Sequence, residues 1–326
     1  MKSIDDYLEA KTQDYRIPGL SIAVIDEGKV IYRKAFGYAN IKDKIPVTDT
    51  TIFEAASLSK SVFAMFVMTY VEEGKLDLDR PLFEYLPNPD IAYDERYKKI
   101  TARMVLSHRS GFPNWREIEE DQKLKIKFDP GTAYEYSGEG YQYLANVLRT
   151  IEGTDWEGLE ASFQQKIAKP LGLEHTAFIQ TPYTRAHKAE PYDGKGNWID
   201  WKNNYWYKKH DGEFNSAASL HTEPLDFSRW MIAVMNKELL TEKSYAELLK
   251  HHSDISNPDG ELYYTLGFFS LGNPYDKVFF HGGNNDGFSC YYSMDLEKKR
   301  GYVLFTNSES GGRLGNDLAD LLIVGK

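Results

Sequence analysis

Two apolar-rich runs, Leu20-Ser21-Ile22-Ala23-Val24-Ile25 and Val30-Ile31-Tyr32-Arg33-Lys34-Ala35, flank the turn-forming residues Asp26-Glu27-Gly28-Lys29, which predicts a β-hairpin near the start of the chain. A capped, polar amphipathic helix is expected before it, over residues 3 to 14. From Ser57 onward, Val62, Phe63, Phe66, Val67, Tyr70 and Val71 recur at spacings of three and four, the signature of a buried helix, with Gly74 placed to close it. Helical patterns then dominate to about residue 250: Ala102 to Ser107, Tyr141 to Ile151, Leu159 to Ala168 and Leu225 to Met235. They are punctuated by Asp129-Pro130-Gly131 and Pro170-Leu171-Gly172. After residue 260 the pattern turns to short β-rich runs, Tyr263 to Phe269, Lys277 to Phe280, Ser289 to Met294 and Gly301 to Thr306, and a last helix begins near Arg313.

Strands at both ends with helices between them predict an α+β fold. One antiparallel sheet, built from residues 1–56 and 261–326 and flanked by terminal helices, would carry an inserted, mostly helical domain over residues 57–260, with the active site between the two. The composition is that of a globular chain, 41% hydrophobic and 27% charged. With 39 Lys+Arg against 49 Asp+Glu, the net charge of −10 offers no basic face for nucleic acid. The longest apolar run, Val62 to Val71, ends at Glu72-Glu73, short of the roughly 18 to 20 residues a membrane span needs. The first residues have no apolar stretch, so no export signal is expected within this sequence. Cys290 is the only cysteine, which excludes an intrachain disulfide and a cysteine-cluster metal site.

Three segments hold the candidate chemistry: Ser57-Leu58-Ser59-Lys60, Tyr136-Ser137-Gly138 and His281-Gly282-Gly283. Ser57 and Lys60, three apart, share one helix face, so the amine reaches the hydroxyl. A lysine serves as base for a serine only when burial or a nearby cation lowers its pKa, and the apolar helix behind Lys60 suits this. The helix N-terminus adds a positive dipole end beside the nucleophile. The same spacing also fits a capping serine and a surface lysine, against which stands its place at the head of the most apolar helix.

In these segments the chain resembles the serine β-lactamase and penicillin-binding-protein group, in the branch of class C β-lactamases, DD-peptidases and related carboxylesterases. Further segments follow in the same order: Ile17-Pro18-Gly19, Val105-Leu106-Ser107-His108-Arg109-Ser110-Gly111, Phe128-Asp129-Pro130-Gly131, Tyr134 to Tyr141 and Pro170-Leu171-Gly172-Leu173. The resemblance implies a β-lactamase/transpeptidase-like fold with Ser57 as the acylated nucleophile and Lys60 as its base. Tyr136 would relay a proton to the leaving group, its pKa drawn down by the lysine. The glycines of His281-Gly282-Gly283 would let the backbone approach closely, so that the N–H groups of Asn284 and Ser57 form an oxyanion hole, with Gly283 between them. His281 would bind a substrate carboxylate when protonated or hydrogen-bond the tyrosine when neutral.

Gly138 departs from the group's pattern, which has asparagine there to meet the substrate's acylamide group, and Glu139 or Asn285 would have to supply the missing group. The resemblance thus implies a serine hydrolase, with no cofactor and no metal, that forms an acyl-Ser57 intermediate on a small-molecule or peptide-like ester or amide. It would be esterase-like or D-amino-acid peptidase/carboxypeptidase-like; the alternative is a β-lactamase, or a penicillin-binding sensor or scaffold with little turnover. The group implies a periplasmic or secreted location, and oligomeric state is left open.

Other candidates are weaker. Gly287-Phe288-Ser289-Cys290-Tyr291 lacks the second glycine of a Gly-x-Ser-x-Gly elbow, and there is no His-Glu-x-x-His. His251 and His252 read as surface residues without an acidic partner at ligand spacing. His108 is a candidate triad base whose counterpart in the group is structural. Residues 193–207 hold three of the six tryptophans, either as an ordered loop or as a cleft wall.

Overall fold

The structure, a computed structural model, describes residues 4–258, 260–273 and 277–324. Strands β1 (Gly19–Asp26) and β2 (Lys29–Asn40) form the expected hairpin. Asp26 pairs with Lys29, leaving a two-residue turn in which Glu27 and Gly28 hold φ of 50° and 71°. This turn has the twist that joins two strands without splaying them, and its second residue needs the freedom of glycine. β3 (Ile45–Pro46) pairs with β2, while β4 (Phe53–Glu54) and β5 (His221–Thr222) form a small separate sheet. The chain then contributes β6 (Ser253–Asp254), β7 (Leu262–Tyr264), β8 (Phe269–Leu271), β9 (Val278–Asn285), β10 (Phe288–Asp295) and β11 (Arg300–Thr306).

The large sheet has nine antiparallel strands in the order β3-β2-β1-β11-β10-β9-β8-β7-β6. The run expected as one strand over Tyr263 to Phe269 is two strands, because Gly267 turns the chain at φ 94°. A Cβ there would stand 2.6 Å from that of Ala64. The turn docks directly on the helix of Ser57, whose Ser61 hydroxyl donates to the Gly267 carbonyl at 2.6 Å.

The helices are α1 (Ile4–Asp14), α2 (Ser59–Glu72), α3 (Ala102–Leu106), α4 (Gly138–Glu152) and α5 (Trp156–Phe163), then α6 (Pro182–His187), α7 (Tyr205–His210), α8 (Pro224–Asn236), α9 (Glu242–Leu248) and α10 (Gly311–Ala319). The expected start of the first helix at Ser3 lies outside the described residues. β1 is buried on both faces, which is why it lacks a clean polar alternation. On one face Leu20, Ile22 and Val24 pack with Leu8 of α1 and Leu314 and Leu318 of α10. On the other, Ala23 and Ile25 belong to the larger core built on α2, α4 and α8. Helix α2 is buried around nearly its whole circumference, from Ser59 to Met68, so its position is fixed from all sides. Gly74, at φ 67°, ends it by donating its N–H to Val71 at 3.0 Å. Among the described residues no helix is long and apolar enough to cross a membrane.

Candidate active site

Ser57 lies in a single tight turn, Ala56–Leu58, that joins β4 to α2. The turn is pinned from several directions. The Ala55 N–H donates to Leu220 at 2.7 Å, the Cys290 thiol donates to the Ala55 carbonyl at 2.9 Å, and the Ser59 hydroxyl donates to the Ala56 carbonyl at 2.5 Å. Ala56 is fully buried at φ 43°, a left-handed conformation that costs a non-glycine residue about 1 to 2 kcal/mol. The surrounding bonds offset that strain, and strain of this kind collects at functional positions.

Ser57 itself is partly exposed. The Lys60 ammonium group, only 1% exposed, stands 3.3 Å from the Ser57 hydroxyl and 2.9 Å from the Ala217 carbonyl. Burial alone pulls the Lys60 pKa down to about 7, so near neutrality much of the amine is unprotonated and stands within reach of the serine hydroxyl. The expected shared face of Ser57 and Lys60 is thus present, with the turn tightened so that the regular helix begins only at Ser59.

Tyr136 faces this pair from the loop before α4, its ring 4.6 Å from the Lys60 nitrogen. The sequence led us to expect a phenol with a depressed pKa. The structure gives the opposite: burial pushes it well above its usual value, and contact with the Ser57 hydroxyl offsets only part of the rise. The resting pair is therefore a neutral phenol beside an amine that is readily neutral. Ser137 caps α4, its hydroxyl accepting the Gly140 N–H at 3.0 Å.

The third segment lies at the end of β9 beyond its pairing with β8, along the edge of the cleft. A Cβ on Gly283 would stand 2.9 Å from both the Ser57 nitrogen and the Ala55 carbonyl, so only glycine lets β9 approach the turn this closely. We expect Gly283→Ala to destabilise the fold by about 1 to 3 kcal/mol, as overpacking does. We also expect it to slow acylation by displacing the Ser57 amide; thermal melts and ester kinetics on one preparation read both effects, and wild-type values in both would contradict the close approach.

His281 differs from both of its expected roles. It is 1% exposed, its Nδ1 lies 2.6 Å from the Gly282 carbonyl, and its Nε2 is 3.2 Å from the Tyr264 hydroxyl. A carbonyl only accepts, so Nδ1 carries the proton and Nε2 receives the Tyr264 hydroxyl. Burial, reinforced by Lys60, pulls its pKa down to about 3. It is a neutral, saturated ring bonded to Tyr264 rather than to Tyr136, and it is no anchor for a carboxylate. Asn284 is exposed, its side-chain oxygen accepting from Ser289 at 2.8 Å.

Gly138 is the first residue of α4. A Cβ there would stand 2.6 Å from the Trp115 ring, so the indole takes the space that an asparagine side chain would need. Glu139 cannot replace it, because its carboxylate grips Arg116 through two bonds of 2.8 and 2.9 Å. Asn285 does face the cleft, its amide donating to Glu54 at 2.5 Å and to Ala218 at 3.2 Å.

Sequence reasoning missed the polar network behind Asn285. Lys188, nearly buried, pairs with Glu54 and lies about 5 Å from the rings of Trp201, Tyr207 and Phe288. Trp198 and Trp201 both donate to Glu190, at 2.8 and 3.1 Å. Through these bonds the aromatic-rich segment is anchored on Glu190, and through Tyr207 it also walls a cavity lined by Glu54, Gln180, Asn215 and Asn285. His252 is not an unpaired surface residue either: its Nε2 lies 3.2 Å from a Glu247 carboxylate oxygen.

Fold and site together define a class. The Beta-lactamase family matches residues 4–324, and the chain belongs to that family. Among its relatives, Protein flp of Staphylococcus aureus (strain MW2) is 26% identical over 335 aligned positions covering 95% of this chain, which spans 63% of that protein's length. The fold is also that of the octameric penicillin-binding protein homologue from Pyrococcus abyssi, with a TM-score of 0.82 at 21% identity over 99% of this chain and 77% of that one.

Proposed function

We propose that the chain is a serine hydrolase that forms an acyl-Ser57 intermediate on uncharged esters and related amides. The observation that carries this reading is the buried Lys60 amine, 3.3 Å from the Ser57 hydroxyl and with its pKa drawn down to about 7. The free amine takes the Ser57 proton as the oxygen attacks the carbonyl carbon, and the developing oxyanion is met by the N–H groups of Ser57 and Asn284. Tyr136, protonated at rest, gives its proton to the leaving oxygen or nitrogen, and the new Lys60 ammonium returns one to the phenolate. In the second half the same pair deprotonates water, which attacks the acyl carbon, and the proton returns to Ser57.

The saturated, neutral His281 supports a substrate without a carboxylate near the scissile bond. A charge-assisted hydrogen bond is worth about 1.5 to 3 kcal/mol, so lacking one costs roughly ten- to a hundredfold. We expect short p-nitrophenyl esters to exceed carboxylate-bearing esters, a chromogenic cephalosporin and acyl-D-Ala-D-Ala by at least that factor in kcat/KM. Preferential turnover of the carboxylate-bearing substrates would overturn the reading, and stoichiometric acylation without turnover would mark a sensor or scaffold instead.

A further inference from the structure

His108 does not touch the reacting atoms as a base: its Nδ1 accepts the backbone N–H of Ser137 at 3.0 Å. Its own carbonyl accepts the N–H of Glu135 at 2.9 Å. One residue thus holds both chain neighbours of Tyr136. Its ring also packs on the Tyr136 ring, with centroids 4.2 Å apart at 39°. It also packs on Tyr264, at 4.5 Å, whose hydroxyl in turn holds His281 of β9.

This arrangement is costly by itself. His108 is fully buried at φ 58°, a left-handed conformation uncommon outside glycine. Since Nδ1 accepts, the ring proton sits on Nε2, and that N–H is buried with no hydrogen-bond partner. An apolar residue would fill the same space without leaving a buried donor unmet. What only an acceptor at the Nδ1 position supplies is the grip on Ser137.

We infer that His108 is a positioning residue for Tyr136, clamping its loop from both sides so that the phenol meets the Ser57 hydroxyl. The inference rests on the reading of Tyr136 as the proton carrier. A misplacement of about 1 Å at a reacting group costs on the order of a hundredfold, so loosening this clamp is expected to slow turnover roughly ten- to a hundredfold.

The test is a double-mutant cycle of His108→Gln and Tyr136→Phe, with His108→Asn beside it, following p-nitrophenyl ester kcat, KM and thermal midpoint. Asparagine places its oxygen near the Nδ1 position and tolerates positive φ, whereas glutamine carries its acceptor one bond further out. Tyr136→Phe is expected to lower kcat by a factor on the order of a hundred or more. His108→Gln should lower kcat with little change in KM, His108→Asn should restore most of it, and adding His108→Gln to Tyr136→Phe should cost almost nothing further. An equal cost of His108→Gln in both backgrounds, or equal activity of the two His108 variants, would overturn the positioning role alone. Wild-type turnover by Tyr136→Phe would overturn the proton-carrier reading and leave His108 nothing to position.

Discussion

Ser57→Ala is expected to lose covalent labelling by a fluorophosphonate and to lower ester hydrolysis by a factor on the order of 10⁴ to 10⁶, the scale on which removing a nucleophile acts. The neighbouring serines cannot substitute. Ser59 and Ser61 are buried, with their hydroxyls committed to the Ala56 and Gly267 carbonyls. Ser289 is buried as well and donates to Asn284. Only Ser57 combines partial exposure with the Lys60 amine. Peptide mass spectrometry that located the adduct on Ser289, or a Ser57→Ala protein that still hydrolysed the ester, would remove the assignment.

The second large effect concerns Lys60. Lys60→Met keeps the volume and the apolar contacts but not the base, and acylation should fall by several orders of magnitude. In the wild type the active form is the free amine, so the acylation rate should fall tenfold per pH unit below about 7 and level off above it. The high pKa of Tyr136 leaves that plateau intact through mildly alkaline pH. Stability follows pH over a different window. Between about pH 7 and 10.5 the unfolded chain binds a proton at Lys60 that the folded one does not, so wild-type stability rises with pH across that window. Each pKa unit is worth about 1.4 kcal/mol, and Lys60→Met is therefore expected to melt higher than wild type at pH 7 while being inactive. Rapid acylation by Lys60→Met, or a rate independent of pH between 5 and 7, would require another base.

The parts of this site that were legible in the sequence are those set by local spacing. The Ser-x-x-Lys pair and the helix closed by Gly74 depend on residues a few positions apart, and they fold as the patterns predict. Tyr136 stood out only through the resemblance, since a single tyrosine among 23 has no local signature. What remained hidden depends on tertiary burial. No pattern in the chain shows that Tyr264 saturates His281, that burial raises the Tyr136 pKa, or that Trp115 occupies the space beside Gly138. Nor does composition reveal Ala56 at positive φ, because alanine is not a residue that advertises it. The short strands β3 to β6 went unread for a different reason: two residues are too few to establish a period.

The strand order makes the completion of the serine site a late event in the life of the chain. Ile22 in β1 lies opposite Leu304 in β11, and β11 in turn carries β10 and β9 into place beside the serine turn. A chain that has already formed its serine and lysine helix still lacks β9 beside the serine turn, because that strand is anchored through pairing between residues as far apart as 22 and 304. Such non-local closure is slow compared with helix formation. A covalent serine label added during refolding is expected to react only with molecules that have completed the sheet, and would count them.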